Sequence, residues 1–325
     1  MNTNKKMRAI GLKQYGSLDG FAPIELSLPE PRKGEVRVRV HASAINPADY
    51  KVALGELKFV HARNFPMILG YDFSGVIEAL GEGSEWNIGD AVFGFLPYAP
   101  SNARGAFAEA LIAKTNEITL KPTGVSHIQA AVAATPALTA LQAIRDIGKL
   151  PHSGGRVLVT GISGGVGSTA IGVILKLQAV PVGVGSGRGI ELAKKLGATK
   201  VIDRQHQDVF KSSEGNFDVI FDAAAAYRWS QWKASLRSGG KYVTTFPSVP
   251  LFLDKLKSLI ATTGVGFVGV KSRQADLQLL GKWLESGLTI SIDSTFAVRD
   301  VAKGIEKLHR GDILGRVAVD VINGF

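Results

Sequence analysis

Two patterns of apolar and polar residues divide the chain. In the first third, apolar and charged residues alternate, most regularly over Glu35-Val36-Arg37-Val38-Arg39-Val40, and this period of two predicts strands with one buried face. Short apolar runs between Gly and Pro residues continue to about Thr119, without a long amphipathic helix. The first third is therefore predicted to be rich in β-structure.

From Arg156 onward, short apolar runs alternate with stretches of helical spacing. An alanine-rich helical segment precedes them, from Ser126 to Ala143. The apolar runs that we predict as strands are 180–185, 200–203, 217–222, 241–246 and 264–270. The stretches that we predict as helices are 189–196, 227–236, 274–286 and 296–310, and a last strand follows at 316–321. Strand and helix in alternation indicate a parallel, doubly wound sheet.

A glycine-rich turn is the most informative stretch of the sequence. The apolar run Val157–Val159 ends at Thr160, glycines follow at positions 161, 164, 165 and 167, and apolar residues then recur at helical spacing. Glycine lets the backbone approach a ligand closely, and the first N–H groups of a helix suit a pyrophosphate. The pattern predicts a dinucleotide site, whose pyrophosphate contacts are Ser163, Gly164, Gly165, Val166 and Gly167.

The same turn also fits a different chemistry. Gly161-Ile162-Ser163-Gly164-Gly165 matches the G-x-S-x-G elbow of serine hydrolases, which also lies between a strand and a helix. That enzyme class needs a later acid and a later histidine, and the later histidines, His206 and His309, lie in polar contexts without a supporting motif. No Gly-Lys-Ser/Thr follows, so a Walker loop is excluded. The turn alone leaves dinucleotide binding, hydrolysis and a purely structural role open.

The residues after the second strand of the predicted sheet indicate which dinucleotide binds. An acidic residue usually stands there when the ligand is NAD, because a carboxylate accepts from the ribose 2′-hydroxyl. Here the strand ends at Gly185, and Ser186-Gly187-Arg188 follows. A hydroxyl and a guanidinium bind a 2′-phosphate that a carboxylate repels. We therefore predict NADP(H), with Ser186 and Arg188 at the 2′-phosphate.

Composition and charge narrow the classes of partner. The chain has 325 residues, 45% of them hydrophobic and 20% charged, which is typical of a globular protein of about two domains. Its formal net charge is +10, but the basic residues are scattered and no basic run interleaves with aromatic residues. We expect a basic solvated surface that attracts an anionic cofactor, and no nucleic-acid partner.

The chain contains no cysteine, which excludes disulfides, thiol catalysis and thiolate metal sites. No apolar run reaches the roughly 18 residues of a membrane span, and the basic first residues are not followed by an apolar signal segment. We expect a cytoplasmic protein that does not bind a membrane.

Several blocks in a fixed order make the chain resemble the medium-chain dehydrogenase/reductase superfamily, in its zinc-independent quinone oxidoreductase and enone reductase branch. The matching blocks are Ala44–Lys51, Phe65–Val76, Gly89–Gly94, Gly105–Glu109, Pro136–Ala140, the glycine turn, Lys195–Ala198 and Gly315–Val317. Their order is far more specific than the turn alone, and it favours the dinucleotide interpretation over the hydrolase.

The resemblance implies an α/β fold of two domains. Residues 1–124 and 271–325 would form a GroES-like, β-rich catalytic domain, and residues 125–270 a doubly wound, parallel-sheet Rossmann domain that binds NADP(H). The family places its active site in the cleft. It also implies a homodimer in which two nucleotide sheets join edge to edge through the strand 264–270.

The resemblance further implies that the catalytic metal is lost. Zinc-dependent relatives have a cysteine where this chain has Asn46 and a histidine where it has Tyr71. Without a Lewis acid, nothing obvious stabilises the alkoxide of a simple carbonyl reduction. Hydride addition to the β-carbon of an enone instead spreads the charge into an enolate, which hydrogen-bond donors can hold. We therefore expect NADPH-dependent reduction of quinones or of the activated C=C bonds of enones and enals, with no metal.

The same resemblance suggests roles for individual residues. Asn46 would hydrogen-bond a carbonyl or the nicotinamide, while Tyr50, Lys51 and Tyr71 would polarise the substrate oxygen or supply the second proton. The remaining cofactor contacts that the resemblance implies are Thr139 near the nicotinamide, Asp222, Ala223 and Ala224 beside the adenosine, and Phe246, Phe267 and Val268 along the nicotinamide.

Two other functions stay open at this point. The glycine turn and Ser186-Gly187-Arg188 also resemble the acryloyl-CoA reductases, so the substrate could be an enoyl thioester. Some relatives in this branch are lens crystallins or bind RNA, so a non-catalytic NADPH-binding protein is the alternative from another class.

Overall fold

The chain is divided into two compact units in the computed structural model, which describes residues 5–58, 64–98, 105–213 and 215–325. The first unit comprises Met1–Thr135, Ser272–Gly287 and Ile292–Phe325. The second comprises Pro136–Lys271 and Leu288–Ser291. The division falls within one helix, between Thr135 and Pro136.

The strands, in chain order, are β1 (Lys6–Leu12), β2 (Phe21–Ser27), β3 (Glu35–Ile45), β4 (Met67–Ile68), β5 (Asp72–Leu80), β6 (Ala91–Phe95), β7 (Ala110–Lys114), β8 (Ile118–Leu120), β9 (Arg156–Thr160), β10 (Val180–Gly185), β11 (Lys200–Asp203), β12 (Phe217–Asp222), β13 (Leu236–Thr244), β14 (Gly264–Phe267), β15 (Ile292–Ala297) and β16 (Arg316–Asp320). The α-helices are α1 (Pro47–Ala53), α2 (His127–Leu141), α3 (Gly165–Lys176), α4 (Arg188–Lys195), α5 (Val209–Ser212), α6 (Trp229–Trp232), α7 (Val249–Ser258), α8 (Gln274–Glu285) and α9 (Val301–Arg310). Among the described residues, no helix combines the length and the apolar character needed to cross a membrane.

The first unit is built around the long strand β3, as the alternating pattern predicts. Val36, Val38 and Val40 are buried, and the charged residues between them lie on the opposite face, where Arg39 is exposed and Arg37 pairs with Glu78 at 2.7 Å. β3 pairs antiparallel with β5, β7 and β16 in a sheet of order β15-β16-β3-β5-β6-β8. A smaller sheet has the order β2-β1-β4. The predicted β-rich first third is confirmed.

The second unit contains one sheet whose strands are all parallel, in the order β11-β10-β9-β12-β13-β14. The chain moves outward from β9 to β11 and then returns to the other side of β9 with β12. In a sheet of this kind, ligands bind where the strand order reverses, beyond the carboxyl ends of the strands. The predicted doubly wound sheet is confirmed, and its reversal lies between β9 and β12.

Four of the predicted elements are wrong in extent. The predicted strand 241–246 is part of β13, which begins at Leu236 and ends at Thr244. The predicted helix 227–236 is only α6, because the chain already runs beside β12 at Ser235, whose carbonyl accepts from the Phe217 N–H at 3.0 Å. The predicted helix 296–310 begins late, because Phe296 belongs to β15, which pairs with β16. The predicted strand 264–270 ends at Phe267. The helix α7 was missed altogether.

Candidate functional site

The first turn of α1 fixes the position of Asn46. Asn46 is the N-cap of this helix in an extended conformation, and Pro47 occupies the first helical position, where its missing N–H is no loss. Asp49, three residues on, accepts a hydrogen bond from the Asn46 N–H at 2.7 Å. The same carboxylate accepts from the Gly70 N–H at 3.0 Å and so joins α1 to the segment before β5.

The side chain of Asn46 belongs to a buried network centred on an ion pair. Arg316 donates to the Asp72 carboxylate at 2.6 Å and to the Asn46 amide oxygen at 3.0 Å. The Asn46 amide nitrogen donates to Asp72 at 3.1 Å. The second oxygen of Asp72 accepts from the N–H and the hydroxyl of Thr135. Both atoms at the end of Asn46 are thus engaged inside the protein.

Asp72 and Arg316 are two residues that sequence reasoning missed. Both lie in the blocks that carry the family resemblance, but they are 244 positions apart and no local pattern joins them. A signal was present in the sequence: each is a charged residue at the start of an apolar strand, Asp72 in β5 and Arg316 in β16. In the folded chain the two side chains are 0% and 4% exposed.

Burial controls the protonation of the two carboxyls. Burial raises the pKa of Asp49 to about 7, although its bonds from the Asn46 and Gly70 N–H groups oppose the shift. Burial also raises the pKa of Asp72, against the opposing effects of Arg316 and of the Thr135 and Asn46 hydrogen bonds. Arg316 therefore favours the charged form of Asp72, which burial disfavours.

The two tyrosines predicted from the sequence have different surroundings. Tyr71 is buried, and its ring stands edge-on to Tyr98 with the ring centroids 4.4 Å apart. Tyr50 is half-buried on α1 and packs against His309 of α9, with the centroids 4.9 Å apart. Burial raises the pKa of both phenols, so both stay neutral in the physiological range. Lys51, next to Tyr50, is half-buried.

The donor set around Asn46 does not suit a zinc ion. Zinc in proteins is held by Cys, His, Asp or Glu. The nearby carboxylates, Asp49 and Asp72, accept hydrogen bonds on both of their oxygens, and the Arg316 guanidinium beside Asp72 repels a further cation. Across residues 5–58, 64–98, 105–213 and 215–325, no group of three His, Cys, Asp or Glu side chains is placed to hold a metal.

The glycine turn of the second unit connects β9 to α3. Gly161 has a φ of +68°, and a Cβ on Gly167 would lie 2.2 Å from the Gly161 carbonyl oxygen, so both positions require glycine for packing. Gly164 differs, because a Cβ there would meet no described atom nearer than 3.5 Å. The backbone at the start of α3 therefore has open space in front of it, which is what a pyrophosphate requires.

The end of β10 carries the residues predicted at the 2′-phosphate. Ser186 is half-buried, Arg188 is the exposed first residue of α4, and a Cβ on Gly189 would lie 2.8 Å from the Ser163 Cβ. The glycine turn and the Ser186–Arg188 turn are therefore adjacent. Arg204 was missed by the sequence analysis: its N–H donates to the Gly185 carbonyl at 2.9 Å, which brings a second exposed arginine to this corner.

A side chain at the end of β10 would collide with the core. A Cβ on Gly185 would lie 2.5 Å from Cγ1 of Ile162, which is itself fully buried. The position that carries an acid in NAD-binding sheets is thus closed to any larger residue by the packing of the glycine turn.

The carboxylate of Asp222 is used inside the second unit. It accepts from the Thr160 hydroxyl at 2.5 Å, the Tyr242 hydroxyl at 2.7 Å and the Tyr227 N–H at 2.8 Å. The structure thereby brings the ends of β9, β12 and β13 together. The next residues continue toward the glycine turn, since a Cβ on Gly161 would lie 2.9 Å from the Ala224 Cβ, with half-buried Ala223 between.

The remaining predicted cofactor residues lie on three elements. Thr139 is buried on α2. Phe246 follows β13 and Phe267 ends β14, and each is nearly half exposed. Val268 is buried, and its N–H donates to the Thr244 carbonyl at 2.9 Å. Phe246, Phe267 and Val268 therefore lie at the same carboxyl edge of the sheet as the glycine turn.

Two family models match the chain. One, described as the alcohol dehydrogenase GroES-like domain, matches residues 32–123. The other, described as zinc-binding dehydrogenase, matches residues 196–319. The second description names a metal that the donors around Asn46 do not suit.

Individual relatives extend over most of the chain. A mitochondrial NAD(P)H oxidoreductase of Bos taurus is 32% identical, covering 89% of this chain and 82% of its own. A 2-methylene-furan-3-one reductase of Solanum lycopersicum is 28% identical, covering 98% of this chain and 80% of its own. The solved structure of a quinone oxidoreductase from Coxiella burnetii superposes with a TM-score of 0.87 at 28% identity, over 98% of this chain and 100% of that one.

The ion pair gives a stability prediction. Replacing Asp72 by Asn should lower the free energy of unfolding by about 3–5 kcal/mol, because a neutral amide leaves the buried Arg316 cation without its counter-charge. Urea unfolding followed by circular dichroism measures the change. The control is Glu25→Gln, which breaks the exposed ion pair between Lys6 and Glu25 and should lose less than about 1 kcal/mol. Equal losses in the two variants would contradict a central role for Asp72.

Proposed function

The chain belongs to the medium-chain dehydrogenase/reductase superfamily, in its quinone oxidoreductase and enone reductase branch, and from this premise we propose an NADPH-dependent reductase of quinones or of activated C=C bonds. Two features together carry the proposal. In the second unit, an open glycine turn lies next to a corner that carries arginines. In the first unit, the residues at the metal position of zinc-dependent relatives do not suit zinc. The names of the relatives, an NAD(P)H oxidoreductase and a furanone reductase, support the oxidoreductase class.

The glycine turn supports binding of a nicotinamide dinucleotide. Bound there, such a cofactor supplies a hydride to the substrate. Gly164 would leave room for the pyrophosphate, and the N–H groups at the start of α3 would donate to it. We propose an indirect role for Asp222, because its carboxylate accepts hydrogen bonds from Thr160 and Tyr227 and so holds both in place. We propose that Ala223 and Ala224 contact the adenosine, and that Thr139, Phe246, Phe267 and Val268 border the nicotinamide.

The corner at the end of β10 supports NADPH over NADH. The backbones of Ser186, Arg188 and Arg204 lie at one corner, and both arginines are exposed, so a hydroxyl and two guanidinium groups would be available to one phosphate. Gly185 occupies the position where an NAD site would have its acid, and the Ile162 side chain leaves no room there for a Cβ. A phosphate gains from charge-assisted hydrogen bonds here, whereas a bare ribose hydroxyl finds no carboxylate.

The donors of the first unit support a reaction without zinc. Alcohol–carbonyl exchange needs a strong Lewis acid, and conjugate reduction does not, because the charge spreads over an enolate or a hydroquinone anion. The roles of Asn46, Tyr50, Lys51 and Tyr71 as catalytic residues stay predictions. Both polar atoms of the Asn46 amide are hydrogen-bonded to Asp72 and Arg316. We therefore propose that Asn46 acts by fixing the positions of the residues around it.

We also propose the homodimer that the family resemblance suggests. β14 is the outer strand of the parallel sheet, and an unpaired strand edge is a template for a second copy. Beside it, α7 and its C-cap residue Leu259 expose Val249, Phe252, Leu256 and Leu259, an apolar surface that a partner would cover. Light scattering of the purified protein should give twice the chain mass, 34.5 kDa, and a monomer at micromolar concentration would refute the dimer.

The activity itself is testable directly. Purified protein with NADPH should reduce simple enones, enals or quinones, which is followed by the loss of cofactor absorbance, and added zinc should not accelerate the reaction. Acryloyl-CoA belongs in the same panel, because an enoyl thioester is reduced by the same chemistry. A simple aldehyde without a conjugated double bond is the matched control and should not be reduced. Turnover of none of the conjugated substrates would refute the proposed function.

Cofactor preference gives a separate prediction. Replacing Arg188 by Ala should weaken NADPH binding by about 10- to 100-fold, the value of one charge-assisted hydrogen bond, and leave NADH binding nearly unchanged. Dissociation constants from tryptophan fluorescence measure both. Arg310→Ala is the control, because Arg310 is exposed on α9 and pairs only with Glu306 among its described contacts. Equal weakening of NADPH and NADH by Arg188→Ala would show that Arg188 does not read the 2′-phosphate.

A further inference from the structure

We propose that Gln142 is a positioning residue for the nicotinamide end of the cofactor site. Its side-chain amide fixes the loop after β14, residues 268–271, in the conformation that the cofactor meets. The inference rests on the proposed function, in which Phe267 and Val268 border the nicotinamide, and it adds a residue that the sequence analysis did not indicate. Gln142 lies where α2 ends, and its side chain is buried.

Two hydrogen bonds join the Gln142 side chain to the backbone of Lys271. The amide nitrogen donates to the Lys271 carbonyl at 2.8 Å, and the amide oxygen accepts from the Lys271 N–H at 2.9 Å. The two residues are 129 positions apart in the sequence. A side-chain amide suits this place because it offers a donor and an acceptor together. Gln142 therefore pairs with the backbone of Lys271 as a residue of a neighbouring strand would.

The sheet holds the other end of the same loop. The Val268 N–H donates to the Thr244 carbonyl at 2.9 Å, which continues the pairing of β14 with β13. Only two residues separate Val268 from Lys271. The loop is thus fixed at both ends, and Gln142 supplies the bonds at the end that has left the sheet.

A change of helical geometry accompanies the position of Gln142. At this residue α2 gives way to a π-helical turn that extends to Ile147. The Gly148 N–H donates to a carbonyl five residues back at 2.7 Å, as this geometry requires. A Cβ on Gly266 of β14 would lie 2.6 Å from Cγ2 of Ile147, so the turn packs directly on the strand that leads into the loop. Gln142 and that strand are therefore held against each other.

Gln142 is also a neighbour of a residue of the proposed nicotinamide site. Thr139 precedes it by three positions, and residues three apart are adjacent on a helix surface. The two residues are buried, with exposed fractions of 6% for Thr139 and 3% for Gln142. One face of this helix would thus border the nicotinamide at Thr139 and, one turn later, hold the loop that borders it from the sheet.

The position of this loop matters because its first residues offer surface to a ligand. Phe267 is 45% exposed, and Val268 follows it with its N–H bonded to the sheet. Without the Gln142 bonds, the Lys271 end would sample more conformations, and ordering it again would lower the binding free energy of the cofactor. The loss concerns the nicotinamide end, because the proposed phosphate and adenosine contacts lie on other segments.

The test is the variant Gln142→Met, which keeps a side chain of similar length and removes both hydrogen bonds. We expect NADPH binding to weaken roughly 5- to 30-fold, the value of one or two hydrogen bonds. Adenosine 2′,5′-bisphosphate lacks the nicotinamide, and its affinity should change by less than about twofold. Isothermal titration calorimetry measures both. Unchanged NADPH binding would overturn the proposal, and so would equal weakening of the two ligands, which indicates a general loss of structure.

Gln129→Met is the matched control. Gln129 lies on the same helix, and its amide oxygen accepts from the Ser126 N–H at 3.2 Å, so this variant also loses a hydrogen bond from side chain to backbone. It should lower the free energy of unfolding and leave the affinity for NADPH unchanged. An equal loss of NADPH affinity in Gln129→Met would show that any weakening of α2 suffices, and would overturn the specific role of Gln142.

Amide hydrogen exchange tests the loop in the absence of cofactor. In Gln142→Met the loop 268–271 should exchange faster than in the wild type, because the Lys271 N–H loses its acceptor, whereas β14 should exchange at the wild-type rate. Unchanged exchange in the loop would overturn the proposal at its structural step. A wild-type protein that shows this exchange pattern but binds no NADPH would refute the proposed function, and with it a role for Gln142 at a cofactor site.

Discussion

The first unit depends on a buried ion pair between Asp72 and Arg316. Such a pair is tolerated only when the remaining donors and acceptors are satisfied, because desolvation of two charges otherwise exceeds their attraction. Here Asn46, Thr135 and the Val132 carbonyl complete the set, with the last accepting from Arg316 at 3.2 Å. The pair thereby ties the cap of α1, the start of β5, helix α2 and the C-terminal strand β16 to one point.

The second unit solves a similar problem with a single carboxylate. Asp222 takes its donors from β9, from β13 and from the loop that leaves β12, so no cation is needed to satisfy it. In both units a buried acid holds several elements together through its hydrogen bonds. The groups that a ligand could contact are neighbours of the acid and not the acid itself. In the second unit these neighbours are the glycine turn and Ala224.

The sequence predicted what is local and missed what is distant. The period of two over β3 and the strand–turn–helix around Gly164 are local patterns, and the structure confirms them. The prediction failed where tertiary contacts decide, as at α6, where Trp229 and Trp232 are buried in the core and the chain then joins the sheet at once. No local pattern could reveal that Arg316 meets Asp72.

The same limit explains the site residues that were missed. Arg204 lies at the end of a different strand from Arg188, and only the parallel pairing of β10 with β11 makes them neighbours. The residue types in the sequence indicated the chemistry. Only the pairing of strands and helices shows which arginine, among many, lies at the site.

The contact between Gly185 and Ile162 has an evolutionary consequence. NAD-binding sheets usually have an acid at the end of this strand, and the Cβ of an acid at position 185 would lie 2.5 Å from Cγ1 of Ile162, which is fully buried. Shrinking Ile162 alone leaves a cavity, and adding the acid alone creates a clash, so each single step is unfavourable. Under the proposed preference for NADPH, an acid at position 185 would therefore need a compensating change at Ile162.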